Sequence, residues 1–357
     1  MITINKNIQS EILMTTMEEI VPEDSLFRKI DKYIDFTFIY DKVKDLYCEN
    51  NGRPSIDPVV LFKIVFIQAL DGIKSMRQTC KKLKVDAEYR WFLGIPFGQD
   101  TPHFSTFSKN SERRFKDSDI FEEIFVEIVN QAIKYKLVDG TTFYTDSTHK
   151  KANANKNKFG FELKKYAVDS GYLTLDIKKY FIENDIFGVL GYRRYGTPES
   201  RKEKSKYKYE KELDMYYEKE TGEILEYKGL IDKNGYKKYE NTDKTKIVRR
   251  HIHEEWNEIF RENRLSKEGK ELYQKRKEHI ERSFADSKQN HGYRYAMYKG
   301  VKKNQHYTWL ICAAQNMKNI AIKNDNVGKE PVTSSSFLYN FTKIIKNIIS
   351  LSKKIYS

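Results

Sequence analysis

The sequence predicts a mixed α/β protein in which a helical N-terminal part is followed by strands that alternate with helices. Residues 17 to about 137 carry apolar side chains at helical spacing, between residues that start and stop helices. The period changes at GTTFYTDST, which is rich in β-branched and aromatic residues and is typical of a strand. We therefore predict a helical domain over 1–137, an α/β domain over 138–323, and a linker with a last helix over 324–357.

Charge and cysteine content narrow the class of protein. Sixty-five basic against 51 acidic residues give a formal net charge of +14. That excess is typical of nucleic-acid binders, although lysines spread over every surface would serve solubility alone. Cys48, Cys80 and Cys312 include no CxxC pair, which argues against a zinc ribbon or a disulfide framework and favours a reducing cytoplasm. No apolar stretch is long enough to span a bilayer, so we expect no membrane association.

Short helices are predicted in the N-terminal part. Asp57, Ser75, Asp86 and Thr101 are predicted helix starts, and Gly94 is a predicted stop. Short helices joined by tight turns are typical of a helix-turn-helix module, and an ordinary helical bundle with solvated lysines is the alternative. The candidate DNA contacts of this part are Arg77, Lys81, Lys82, Arg113 and Arg114.

Three strand-like segments follow, namely GTTFYTDST, KKYAVDSGY and IFGVLGYRR. The helical pattern LDIKKYFIEN lies between the second and the third, which predicts a β-α-β unit. Residues 195–245 are rich in Tyr, Lys and Glu, and their turn pairs predict one or two hairpins that form an insertion. From His251 to about Ile322 the pattern is helical again, and the last helix carries an apolar stripe suited to docking or to an oligomer contact.

Acidic residues stand where the first two strands end. Asp146 and Asp169 occupy matching positions, and ligands and metals gather at the carboxyl ends of strands in open sheets. One such aspartate is usually a cap or turn residue, whereas two at matching positions favour a binding site.

A third acidic candidate, Glu281, lies in a predicted helix among basic residues. Arginine and lysine suit phosphate contact, and the candidates here are Arg276, Arg282, Lys288 and Arg294. The alternative is a basic amphipathic helix stabilised by ion pairs between residues four apart.

Several strings together resemble one family. TDSTHKKANANK, VDSGY, GVLGYRR and RKEHIERSFADSKQNHGYRYAMYKG, preceded by RPSIDPVVLFKIVFIQALDGIKSMRQTCKKL and TPHFSTFS, are similar to bacterial insertion-sequence transposases of the DDE type over roughly residues 10–322. The resemblance implies an RNase H-like domain in which Asp146, Asp169 and Glu281 hold two Mg²⁺ or Mn²⁺ ions. It also implies double-stranded DNA at transposon ends and targets as the partner, a homo-oligomer on that DNA, a nucleoid-associated cytoplasmic location, and Lys288 near the cleaved bond.

The spacing of the two aspartates departs from that pattern. Only 22 residues lie between Asp146 and Asp169. An RNase H-like sheet places two further strands and a helix there, which need roughly thirty residues or more. We therefore predict an internal deletion between residues 146 and 169 and a truncated catalytic domain. Three functions stay open: an active transposase, a DNA-binding remnant that does not cut, and a basic structural or RNA-binding protein whose carboxylates are caps.

Overall fold

The computed structural model of the chain describes residues 12, 14–48, 55–138, 140–145, 162–170, 174–192, 203 and 205–329. Its contacts divide the chain into a helical unit, drawn from 1–139 and 282–357, and a sheet unit, drawn from 140–151 and 162–281. The predicted mixed α/β class is confirmed, with helices in the N-terminal part and sheets later in the chain. No helix in the described ranges combines the length and apolar character needed to cross a membrane.

The helical unit is built around its C-terminal helix. The N-terminal helices are α1 (Met17–Ile20), α2 (Leu26–Tyr33), α3 (Phe38–Val43), α4 (Pro58–Leu70), α5 (Met76–Lys82), α6 (Ala87–Leu93), α7 (Phe104–Asn110) and α8 (Ile120–Lys134). A helix at Val301–Asn326, here α12, packs against α2, α4 and α8. Ala313, Ala314 and Ala321 are fully buried on it, and such small side chains let helices approach closely. The sequence patterns assigned this stretch to the α/β domain. Its packing instead makes it part of the helical unit.

Helix starts in this unit follow the sequence closely. Asp57, Ser75 and Asp86 each accept a hydrogen bond from a backbone N–H two or three residues later, at 2.7–3.2 Å. Gly94 ends α6 with φ +67°, a left-handed conformation that glycine adopts without strain. These starts and this stop confirm the predictions made from residue type alone.

One predicted helix start is wrong. Thr101 does not cap α7, which begins at Phe104 instead. His103 is the N-cap because its backbone is extended and its Nδ1 accepts the N–H of Ser105 at 3.3 Å. A histidine nitrogen can thus fill the role that sequence patterns assign to hydroxyl and carboxylate side chains.

A parallel sheet begins the sheet unit. Its strands are β1 (Thr142–Thr145), β2 (Lys165–Val168) and β3 (Phe187–Leu190), in the order β1-β2-β3. All pairs are parallel, and the register sets Thr145 opposite Val168 and Val168 opposite Leu190. Helix α9 (Leu175–Glu183) connects β2 to β3, which confirms the predicted β-α-β unit.

Helices cover both faces of this sheet. On one face, Phe181 of α9 and Phe260 of α10 (Glu254–Leu265) pack in one apolar cluster. On the other face, Leu272 of α11 (Lys267–Gln289) packs with Ala167 and Val189. Because side chains alternate between the two faces along each strand, every second residue of a strand faces α11.

A second, antiparallel sheet occupies the segment predicted to be an insertion. Its strands are β4 (Tyr207–Glu210), β5 (Met215–Glu218), β6 (Ile224–Ile231), β7 (Tyr236–Glu240) and β8 (Ile247–His251), paired in sequence order. The prediction of one or two hairpins was too small, because most residues of the inner face are tyrosines and only a few are aliphatic. Tyr239 is fully buried there with Leu225, and Val248 is nearly so.

The glycine at position 188 predicts a first measurable effect. A Cβ at Gly188 would overlap Phe181 and would lie 2.6 Å from Cε1 of Phe260. We expect Gly188→Ala to lower the free energy of unfolding by about 1–3 kcal/mol through overpacking, measured by urea denaturation. Gly98→Ala is the control, because nothing lies within 4 Å of a Cβ at that position. Equal effects of the two substitutions would contradict this packing.

Candidate functional site

Asp169 stands directly after β2 at the carboxyl edge of the parallel sheet. The side chain is half-buried, and its Oδ1 accepts the backbone N–H of Ser170 at 2.7 Å. Asp146 lies outside the described residues. In the sequence, each aspartate follows one of two register partners, Thr145 and Val168. The strand residues that come just before the two predicted ligands are therefore paired with each other in the sheet.

Gly191, the residue after β3, allows α11 to approach Asp169. A Cβ on Gly191 would lie 2.6 Å from the Ser170 nitrogen, 2.8 Å from the Tyr273 hydroxyl and 3.1 Å from the Asp169 carbonyl carbon. Only a glycine leaves room for the Tyr273 hydroxyl beside this loop. The second glycine of the GVLGYRR string therefore has a packing role at the site.

Glu281 is exposed on α11 and does not face the sheet. Leu272 packs on the strands, and the ring of His279 stacks on Tyr144 of β1 with centroids 5.6 Å apart. Glu281 comes nine residues after Leu272, and helical residues turn by about 100° each, so the two side chains lie on opposite sides of α11. The structure therefore does not bring Glu281 to the sheet face on which Asp169 follows β2.

The described carboxylates do not fit a two-metal centre. Within the described ranges, no three His, Cys, Asp or Glu side chains are grouped so that they could hold a metal ion. Asp169 offers the hard oxygen ligand that Mg²⁺ prefers, but Glu281 points away from it. Asp146 lies outside this comparison.

The basic candidates near Glu281 divide into buried and exposed residues. Arg276 is only 7% exposed, and its Cζ lies 5.4 Å from the ring centre of Tyr273. Arg282, Lys288 and Arg294 are exposed. Burial withholds Arg276 from direct phosphate contact in this structure, whereas phosphate contact by the other three stays a prediction.

Most basic candidates of the helical unit are accessible. Arg77, Lys81 and Lys82 on α5 and Arg113 after α7 are exposed. Arg114 is half-buried, with its guanidinium 4.2 Å from the ring centre of Tyr47. Four of the five candidates are thus exposed to solvent. A side chain must be exposed to contact DNA.

A polar network around Asp286, in the helical unit, was missed by the sequence analysis. The carboxylate accepts hydrogen bonds from Asn290 at 2.6 Å, from Gln315 and Lys318 at 3.0 Å, and from His291 at 3.2 Å. The sequence offers no signal for it, since Gln315 and Lys318 are 29 and 32 residues away. We call these residues the Asp286 network.

His291 links this network to α4. The side chain is fully buried, and its Nδ1 lies 2.9 Å from the carbonyl oxygen of Ala69. Both ring nitrogens thus face acceptors, one a carbonyl and the other a carboxylate, and both bonds form only when both nitrogens carry hydrogen. The ring of His291 therefore bridges the end of α4 and the Asp286 carboxylate.

The same hydrogen bonds set the ionisation of Asp286. Burial alone would raise the pKa of this carboxyl, but the hydrogen bonds from Asn290, Lys318 and Gln315 outweigh it. The pKa of Asp286 therefore lies well below its usual range. The folded protein holds this group as a carboxylate.

Two family models match the chain. One, described as Transposase domain (DUF772), matches residues 15–113, and the other, described as Transposase DDE domain, matches residues 232–321. Between them they cover about half of the chain and leave the segment with Asp146 and Asp169 unmatched. No curated protein and no solved structure matched. The chain belongs to the DDE transposases of insertion sequences.

The low pKa of Asp286 predicts a pH-dependent stability. We expect Asp286→Ala to lower the free energy of unfolding at pH 7 by about 3 kcal/mol, because it leaves fully buried His291 and half-buried Lys318 without the carboxylate that accepts their hydrogen bonds. A folded pKa below the unfolded value of about 3.9 stabilises the fold above that value, and the stabilisation is lost as the pH falls through the folded pKa. The difference between wild type and variant should therefore narrow below about pH 4.

Urea denaturation at pH 7 and at low pH measures this difference. Asp117→Ala is the control, since Asp117 is 87% exposed in its pair with Lys302 and such pairs contribute little. A stability loss in Asp286→Ala that is the same at every pH would contradict the assignment.

Proposed function

We propose that this transposase binds double-stranded DNA at the inverted repeats of its element and does not cut it. The observation that carries the proposal is the side of α11 on which Glu281 lies, opposite the residue that packs on the sheet. Cleavage by two metal ions needs the three carboxylates in one cavity, where they stabilise charge on the attacking and leaving oxygens.

The spacing of the two aspartates also supports this proposal. An RNase H-like domain has two antiparallel strands and a helix between these segments, which need roughly thirty residues or more, whereas only 22 residues lie between Asp146 and Asp169. A deletion there removes the strands that would support the first aspartate. Metal ligands need such support, since small displacements weaken a site.

Exposed cations support the DNA-binding half of the proposal. Arg77, Lys81, Lys82 and Arg113 are exposed in the helical unit, and the whole chain carries a charge of +14. Such residues release counterions from DNA when they neutralise phosphates. We also propose, from the family, that a homo-oligomer binds paired ends.

Loss of three of these cations predicts weaker DNA binding. We expect Arg77→Ala, Lys81→Ala and Lys82→Ala together to reduce affinity for the element's end DNA roughly tenfold or more at 0.1 M salt. The slope of log affinity against log salt should fall by about three. Gel-shift titrations over a range of salt concentrations measure both quantities.

The control for that experiment removes the same charge from exposed positions in the sheet unit. Lys179, Lys233 and Lys270 are exposed, and none is a candidate DNA contact. Alanine at these three positions should leave the preference for end DNA over unrelated DNA unchanged. An equal loss in both triple variants would show that only net charge matters and would count against an interface in the helical unit.

The absence of cutting predicts a result with plasmid DNA. Supercoiled plasmid that carries the element's ends should stay intact with wild-type protein and Mg²⁺ or Mn²⁺, as it does with Asp146→Ala. The active alternative, in which Asp146, Asp169 and Glu281 hold two metal ions, predicts nicking by the wild type that Asp146→Ala abolishes. That outcome would overturn the proposed loss of cleavage.

A further inference from the structure

We infer that Gln78, on helix α5, reads an adenine·thymine base pair in the major groove of the element's end DNA and gives end binding its sequence preference. The inference rests on the proposed function, because it names the residue through which the helical unit distinguishes end DNA from other DNA. The basic residues around Gln78 supply affinity, whereas its uncharged amide supplies the discrimination between bases.

Helix α5 has one buried and one exposed side. Thr79 and Leu83 are fully buried and Cys80 is nearly so, which fixes this side against the rest of the helical unit. Successive helical residues turn by about 100°, so the exposed side chains of α5 lie on the opposite side. The exposed residues between positions 74 and 85 are Lys74, Arg77, Gln78, Lys81, Lys82, Lys84 and Val85.

Five of these seven exposed residues are basic, and the two aspartates that flank the stretch are engaged elsewhere, since Asp71 accepts the Tyr89 hydroxyl and Asp86 caps α6. Such a surface attracts the phosphate backbone of any duplex, so the cations alone do not distinguish one sequence from another. Gln78 is the one exposed side chain between positions 74 and 85 that offers both a hydrogen-bond donor and an acceptor. Within the described residues no hydrogen bond engages this amide, so it is available to a ligand.

The first turn of α5 is held in place at Gln78. The Ser75 hydroxyl oxygen accepts the backbone N–H of Gln78 at 3.2 Å, and the Thr79 hydroxyl donates to the Ser75 carbonyl oxygen at 3.2 Å. The neighbouring Arg77 has its guanidinium 4.5 Å from the ring centre of Phe104 on α7. A side chain that reads bases needs such a fixed backbone, because a pair of hydrogen bonds to one base tolerates little displacement.

The dimensions and chemistry of α5 fit the major groove. A helix with its side chains is about 10–12 Å in diameter, and the major groove is about 12 Å wide. In helices that bind there, residues near the N-terminus reach base edges, and Gln78 is the third residue of α5. A glutamine amide matches adenine, since its carbonyl oxygen accepts from N6 and its nitrogen donates to N7. Lys81 and Lys82 lie one turn further along, where phosphates flank the groove.

Gel-shift titrations with duplexes that carry the element's inverted repeat test this inference. Each A·T pair of the repeat is changed in turn to G·C, and affinity is measured for the wild type and for Gln78→Ala. At one A·T pair the change should weaken wild-type binding roughly tenfold, whereas Gln78→Ala should bind both duplexes equally. Replacing that adenine with 7-deazaadenine, which lacks the N7 acceptor, should weaken binding by the wild type only. Because Gln78 is uncharged, its loss should leave the slope of log affinity against log salt unchanged.

Two further variants complete the experiment. Gln78→Arg should move the preference at this position from A·T to G·C, because an arginine side chain matches the O6 and N7 acceptors of guanine. Such a reversal cannot arise from a loss of folding. Gln305→Ala is the matched control, since Gln305 is an exposed glutamine on α12 of the same unit, and it should keep every base preference of the wild type.

Two results would overturn the inference. One is a Gln78→Ala variant that keeps every base preference of the wild type, and the other is a Gln305→Ala variant that loses the same preference as Gln78→Ala. Either result would leave the proposed function in place, because the wild type would still distinguish end DNA from unrelated DNA. A wild type that binds all duplexes alike would instead contradict the proposed function, and this inference with it.

Discussion

The packing of α11 on the parallel sheet determines which side chains can reach the strand ends. Leu272 fixes the rotation of the helix, because it is buried with Ala167 and Val189. Once the side of α11 that faces the sheet is set, helical periodicity determines the direction of each remaining side chain on the helix. Arg276 is buried as a result, and Glu281 is directed to the opposite side. The side chains that α11 presents to the strand ends therefore depend on how the helix packs on the sheet.

Family membership and the geometry of the candidate site are separate properties of this chain. The two matched segments, residues 15–113 and 232–321, identify a DDE transposase, but both aspartates lie in the stretch between them. That stretch is also where the sequence is too short for the expected strands. Function depends on the geometry of a site and not on the fold that carries it. A shortened connection between strands can remove the geometry of a catalytic site while the fold is retained.

Local features of this fold could be predicted from sequence. The rotation of a helix about its axis and the contacts between residues far apart in the chain could not. Asp57 and Ser75 cap helices because their side chains reach backbone groups within three residues. The orientation of Glu281 was not predictable, since it depends on contacts between α11 and strands about a hundred residues earlier. The Asp286 network joins α11 to α12 and was missed for the same reason. The full number of tyrosine-rich strands was not predicted, because the inner face of their sheet is only partly apolar.

The core of the helical unit is built from helices at both ends of the chain. Its core combines α2, α4 and α8 with α12, which comes from the other end of the chain. His291 reinforces this union through Ala69, at the end of α4. Neither the core nor this hydrogen bond involves the strands that follow residue 140. A deletion near Asp146 would therefore leave the interactions of the helical unit intact, whereas a truncation before Arg282 would remove α12 and expose the apolar surfaces it covers.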